Sequence, residues 1–328
     1  MEVRGTNRAL VIGARGVLGA LTVRAFAAAG WDVREGVRRA RSGQAEIDLD
    51  RPDSIAAAVD GHELVLNTVP HPDLLAERYV LEHGGTLINI SALPAAAGRA
   101  LRGVGAGARG TVLMNAGLAP GVTAVVATDL LRLHPEAEEL ELVFTLSSEI
   151  PRGPASAAFI HRGLTAVARH RTTRIPLPEP FGERVCVGFG EGDAGWLGGV
   201  AEGRIVRHYI AVNELPVHER LLALNCNGGM SALPRFLIGP RKPPVGGAAS
   251  DEPVTHWIAA VRGGRRLGAR VVECRGDFLH AANSAVVFAG ALLGRPRIGG
   301  CFDPDEICTL AEIEPALRRA GVAIVPAG

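Results

Sequence analysis

Short apolar runs bounded by glycine alternate with longer Ala- and Leu-rich stretches through the N-terminal part of the chain, and the alternation predicts strands and helices in turn. Leu10 to Ile12 is too short for a helix and runs into Gly13, so it reads as a first strand. The Ala/Leu/Val/Phe stretch after Gly19 reads as a helix stopped at Gly30. Trp31 to Arg39 reads as a second strand. Glu46 to Asp50 follows as a strand end, and Arg51 to Val59 as a helix with Asp53 or Ser54 near its cap. Leu64 to Val69 makes a fourth strand ending at Pro70-His71-Pro72, and Leu74 to Glu82 a helix before Gly84-Gly85. Thr86 to Ser91 is a fifth strand and Val112 to Asn115 a sixth. Strands alternating with helices at this pace predict the α/β class, with a parallel, doubly wound sheet. Ligands of such sheets sit beyond the carboxyl ends of the strands, so Thr68, Val69, Pro70, His71, Ser91, Ala92, Asn115 and Gly117 line the predicted crevice. Further on, Glu139 to Leu146 alternates as a strand should and Ala155 to His170 is helix-like. Short β-like runs at Val185–Val187 and Arg204–Val206 suggest a mixed sheet. Gly239 to Gly247, with its prolines, glycines and Lys242, reads as a loop or hinge.

Gly13, Gly16 and Gly19 fall at G-x-x-G-x-x-G spacing between the first strand and its helix. The first glycine permits the turn, the second lets backbone approach a pyrophosphate, and the third lets helix pack on strand. With Ala14, Arg15, Val17 and Leu18 between them, they form a dinucleotide cradle at a helix N-terminus; the blander reading is a tight β–α turn. Arg38 stands 19 residues after Gly19, about where an acid would take a ribose 2′-hydroxyl and an arginine would accommodate a 2′-phosphate. Arg39 beside it, and Arg15 closing from the turn, favour NADP(H) over NAD(H). Otherwise the two strand-end arginines are solvated charges. Asp48, followed by Leu49, lies where such folds lay an acid beside the adenine, or else caps a turn.

At 328 residues, 47% hydrophobic and 21% charged, the chain has room for two domains of ordinary globular composition. A net charge of +1 offers no basic surface for nucleic acid and no polybasic membrane anchor. Of the 35 basic residues only Lys242 is lysine, which leaves one candidate for lysine-dependent chemistry. Five scattered cysteines without a C-x-x-C pair indicate neither a disulfide framework nor a zinc site, and no metal is expected. A cytoplasmic setting fits that reading. The N-terminus shows no signal-peptide pattern, and the longest apolar stretch, Ala285 to Leu293, is too short to span a bilayer.

Several chemistries are absent from the sequence. Neither tyrosine has the lysine at plus four that a short-chain dehydrogenase uses: Tyr79 has His83 there and Tyr209 has Asn213. There is no G-x-S-x-G elbow, H-E-x-x-H or Walker loop. Hydride transfer to an iminium needs little protein acid–base help, whereas a carbonyl or enoyl acceptor needs a proton donor. His71 is the best-placed histidine, with His161, His256 and His280 behind it. Asn115 and Ser91 are placed to hydrogen-bond a carboxamide or substrate, or to satisfy turn backbone. Arg152 and Arg162 are candidates for a substrate carboxylate, or surface charges.

Asn67-Thr-Val-Pro70, Gly85-Thr-Leu-Ile-Asn-Ile-Ser91 and Asn115-Ala-Gly-Leu-Ala-Pro-Gly-Val122, together with the glycine turn, resemble the saccharopine dehydrogenase-like reductases over residues 8 to 125. The likeness returns at Arg275-Gly-Asp277 and at Phe302-Asp-Pro-Asp-Glu306, which opens a last helix closing with Leu317-Arg-Arg-Ala-Gly321. It departs at Arg152-Gly-Pro-Ala-Ser156, where the family has a glycine-pair turn. The resemblance implies a Rossmann domain over 1–125, to which 278–328 returns, interrupted by an α+β substrate and dimerisation domain over 126–277. It further implies an NADP(H)-dependent oxidoreductase that is a homodimer. The expected reaction is hydride transfer at a C=N or C–N bond of a small polar metabolite, with His71 and Asn115 as catalytic candidates and Arg152, His161 and Arg162 toward the substrate. A C=C or C=O reductase of the same fold, and a non-catalytic NADP(H) sensor, are the alternatives.

Overall fold

The computed structural model describes residues 7–91, 93, 95–105, 107–150, 152–166, 171–190, 203–233, 251–296 and 298–327. The chain opens with β1 (Arg8–Ile12), α1 (Val17–Ala28), β2 (Asp32–Val37), β3 (Ala45–Glu46), α2 (Pro52–Val59), β4 (Leu64–Asn67) and α3 (Leu75–His83). There follow β5 (Thr86–Asn89), α4 (Ala95–Gly105), β6 (Thr111–Leu113), α5 (Val122–Leu133), β7 (Glu139–Leu146), α6 (Pro154–Thr165), β8 (Thr172–Pro176) and β9 (Glu183–Phe189). The remainder is β10 (Ile205–Val212), α7 (Leu215–Cys226), β11 (Pro253–Arg262), β12 (Arg265–Arg275), α8 (Asp277–Leu293), β13 (Gly300–Phe302), α9 (Pro304–Ile307), α10 (Leu310–Arg319) and β14 (Ala323–Pro326). Two compact units result: Met1–Gly121 with Phe278–Cys308, and Val122–Asp277 with Thr309–Gly328.

The first unit is a seven-stranded sheet in the order β13-β6-β5-β4-β1-β2-β3, parallel throughout. It is a Rossmann-type doubly wound sheet, with the strand order reversing between β1 and β4. Ala9 to Ile12, Leu64 to Asn67 and Thr86 to Asn89 are buried along their whole length, as strands covered by helices on both faces must be. Ile12 lies opposite Gly36 on one side and Asn67 on the other, and Asn67 opposite Asn89, so these carboxyl ends form one row. The sequence shows six strands in this sheet and the structure has seven. β13, only three residues long, carries no periodicity of its own and joins the edge beside β6.

The second unit is a mixed sheet in the order β14-β12-β11-β7-β10-β9-β8, in which only β7 and β10 run parallel. Helix α5 packs on β11 and β12, α6 on β9, and α7 on β9 and β10. The hairpin β11–β12 turns through Gly263-Gly264, both at positive φ, the backbone a two-residue type I′ loop requires. The segment 278–328 does not return to the first unit as a whole. Its last part belongs to the second unit, because β14 takes the free edge of β12 and α10 buries Leu310, Ile313 and Leu317 while packing on α5 and β14. The single closing helix expected after Phe302 is two, α9 and α10, each opened by its own capping box. Gly239 to Gly247, with Lys242, lies outside the described residues.

Candidate functional site

The glycine turn has no room for a Cβ at its first and third glycines. Gly13 has φ +83°, and a Cβ there would meet Thr68 Oγ1 at 2.7 Å and overlap Val69. A Cβ on Gly19 would overlap the Gly13 carbonyl oxygen, so the third glycine lets α1 press onto the turn. Gly16 is exposed, in extended conformation at the N-cap of α1, and its N–H donates to Gly13 O at 2.8 Å. No side chain caps α1 and its first turn holds no acid. The first-turn N–H groups, without acceptors of their own as in any helix, therefore meet whatever lies over Gly16. The turn sits at the reversal between β1 and β4, where doubly wound sheets hold ligands. These features fit a dinucleotide pyrophosphate.

Arg38 and Arg39 are exposed just past the end of β2. Arg15 is tied to the segment that follows them by Gln44, whose Oε1 accepts from Arg15 Nη2 at 3.0 Å and from the Arg41 N–H at 3.0 Å. Gln44 Nε2 donates to Glu35 at 2.7 Å, which ties the turn to β2. Asp48 shows its turn-capping role: Oδ1 accepts the Asp50 N–H at 3.2 Å, and its own N–H goes to Ser54 Oγ at 2.9 Å. Leu49 packs against the core of the first unit.

At the other strand ends, Thr68 Oγ1 donates to Ile12 O at 2.7 Å, locking β4 to β1, and Val69 and Pro70 are half-buried beside it. His71 has both ring nitrogens engaged. Nδ1 accepts the Asp73 N–H at 3.4 Å, so Nε2 carries the proton that goes to Asp50 Oδ1 at 3.0 Å. Ser91 is buried and its hydroxyl donates to Asn89 Oδ1 at 2.7 Å. Ala92 lies outside the described residues. Asn115 holds a left-handed φ of +55° and donates from Nδ2 to Asp303 Oδ1 at 2.9 Å. Asp303, 1% exposed, also pairs with Arg102; burial pushes its carboxyl up and Arg102 pulls it back. Gly117 bridges to Gly121, where a Cβ would overlap the Gly117 carbonyl oxygen.

The substrate candidates of the second unit do not converge. Arg152 is buried and spends Nη2 on Ser147 O at 2.7 Å and Nε on Ile150 O at 3.3 Å. His161 Nε2 donates to Leu233 O at 2.8 Å, and Arg162, its neighbour on α6, is exposed. The reserve histidines His256 and His280 are buried, and burial lowers His256 to about 4. Among the described residues no group of three or more His, Cys, Asp or Glu is placed to hold a metal ion.

One buried network joins two motif asparagines, Asn67 and Asn89, to an acid that no sequence motif singles out. Glu77 of α3, 0% exposed, accepts from Asn67 Nδ2 at 2.7 Å and from Asn89 Nδ2 at 2.6 Å through one oxygen. Its signal is faint: an asparagine closes each of Leu64–Asn67, Thr86–Asn89 and Val112–Asn115.

No family model matches the sequence and no curated protein matches it. Among solved structures, apo saccharopine dehydrogenase (L-Glu forming) from Saccharomyces cerevisiae aligns over 98% of this chain and 100% of that one, with a TM-score of 0.62 at 12% identity. The chain has a saccharopine dehydrogenase-like fold. An amine dehydrogenase from Mycobacterium smegmatis aligns over 94% of this chain and 97% of that one at 11% identity, with a TM-score of 0.47. The glycine turn, the Gly117–Gly121 bridge and the Arg275-Gly-Asp277 entry into α8, on which the resemblance in the sequence rests, are all formed in this chain.

Proposed function

We propose that this chain is an NADP(H)-dependent oxidoreductase that moves hydride to or from a C=N or C–N bond of a small polar metabolite. The observation that carries the reading is the glycine turn, with no room for a Cβ at Gly13 or Gly19, under the uncapped N-terminus of α1, with Arg38 and Arg39 exposed at the end of the neighbouring strand. The bound nicotinamide would supply the hydride chemistry. In this reading the N–H groups of Val17 and Leu18 and the backbone of Gly16 hold the pyrophosphate. Arg38, Arg39 and Arg15 hold the 2′-phosphate, and Thr68 to Pro70 and Ser91 form the wall along the strand ends.

His71 supports an iminium acceptor over a carbonyl or enoyl one. A ring that already donates to Asp50 and accepts from Asp73 is spent on its own loop, and an iminium, being cationic, asks for no proton donor. His71→Ala is then expected to change turnover on imine substrates by less than about threefold, whereas a general acid would be worth about a hundredfold or more. Fluorescence titration checks the cofactor: NADPH should bind tighter than NADH, and Arg38→Asp should weaken NADPH by about 10- to 100-fold while sparing NADH. An unchanged preference in that variant defeats the NADP assignment.

A further inference from the structure

Glu77 is a carboxylate with no exposure, and its Oε2 has no hydrogen-bond partner among the described residues. Burying such a group is costly, so a core position filled for packing alone would carry an apolar side chain. What offsets the cost is the work of Oε1, which takes the Nδ2 groups of both Asn67 and Asn89. With the amino ends spent there, both amides turn their oxygens onto the loop backbone. Asn67 Oδ1 accepts the Val69 N–H at 2.9 Å, and Asn89 Oδ1 accepts the Ser91 N–H at 2.8 Å. Val69 and Ser91 are the second residues past β4 and β5, and Val69 is the side chain that closes over Gly13.

We propose that Glu77 is a positioning residue for the dinucleotide cradle: one buried carboxylate oxygen sets two asparagine amides, and these set the Val69 loop against the glycine turn and the Ser91 loop beside the end of β4. Its effect on binding rests on the dinucleotide reading above; its effect on the loops does not. Glu77→Gln keeps a carbonyl oxygen able to accept both amides, and Glu77→Met keeps length and apolar bulk without an acceptor.

The test is amide hydrogen exchange on the full chain without dinucleotide, followed by NADPH titration of the same samples. Glu77→Gln should leave exchange at Val69 and Ser91, and the NADPH Kd, within about threefold of the parent. Glu77→Met should speed exchange at those two amides by about tenfold or more relative to Leu10 and Val65, and weaken NADPH by about tenfold. Unchanged exchange at both amides in Glu77→Met overturns the proposal. So does a rise shared equally by Leu10 and Val65, which marks a merely structural role. Should Glu77→Met fail to fold, Asn67→Ala and Asn89→Ala decide the matter: each should speed only its own partner, Val69 or Ser91, and a silent partner overturns the proposal. If the parent chain binds neither NADPH nor NADH, the dinucleotide reading falls, while the exchange rates at Val69 and Ser91 still decide whether Glu77 sets the loops.

Discussion

Gly19 has no room for a methyl group. Its Cβ would overlap the Gly13 carbonyl oxygen, which is backbone and cannot swing aside, so Gly19→Ala pushes α1 off the turn. A loss of about 1–3 kcal/mol is expected in urea unfolding, with dinucleotide binding falling further than stability. Gly16→Ala is the comparison, since its Cβ would come only to 3.2 Å from the same oxygen; it should cost far less stability. These glycines are legible in the sequence because spacing and the strand before them leave few other uses. Glu77 is not legible, since in Leu75–His83 it looks like one more solvated acid of a short helix. Only the register that sets Asn67 opposite Asn89 brings two amides to it. Asp48 and His71 show the same limit, for their partners Ser54, Asp50 and Asp73 are set by turn geometry rather than by spacing.

Elements repeat the pattern. Strands β1, β4 and β5 are legible as apolar runs, because both faces of a parallel sheet are dry. The β11–β12 hairpin left a Gly-Gly mark at 263–264 that alternation alone did not expose, and β13 left none. The edge strand β13 is held by its three residue pairs with β6 and by Asp303 just beyond it, which joins Asn115 after β6 to Arg102 of α4. Removing Arg102 strands a carboxylate that is 1% exposed. Arg102→Ala is therefore expected to cost about 3 kcal/mol, read as a lower urea midpoint. Arg102→Ala with Asp303→Asn should recover a large part of the loss, since the charge is then gone from both sides.

Across the molecule, buried imidazoles set the response to acid. Burial lowers His256 to about 4 and His208 to about 3, against about 6.5 in an unfolded chain. Between pH 6.5 and 4 the unfolded chain takes up protons that the folded one refuses, so stability present above pH 6.5 is lost as pH falls. Asp277 acts in the opposite sense: burial, reinforced by Glu252 and opposed by Arg152, raises it to about 6, so it protonates sooner in the folded protein. Asp303 and Glu252, also raised, side with Asp277, but burial lowers His62 and His218 too; four imidazoles outweigh three carboxyls, and the thermal midpoint should drop from pH 7 to pH 4.5. His256→Phe should flatten that drop, recovering on the order of 2–3 kcal/mol near pH 4, and differential scanning calorimetry across the range measures it.

The edge strand β13 pairs with β6 although nearly two hundred residues separate them. During synthesis the β6 flank of the parallel sheet must therefore wait, bare, while the larger part of the second unit, Val122–Asp277, leaves the ribosome. Over that interval the unpaired N–H and C=O row of β6 is open to any other nascent strand. Chaperone demand in the cell should accordingly concentrate on chains stalled short of Gly300, and ease as soon as Phe302 clears the exit tunnel.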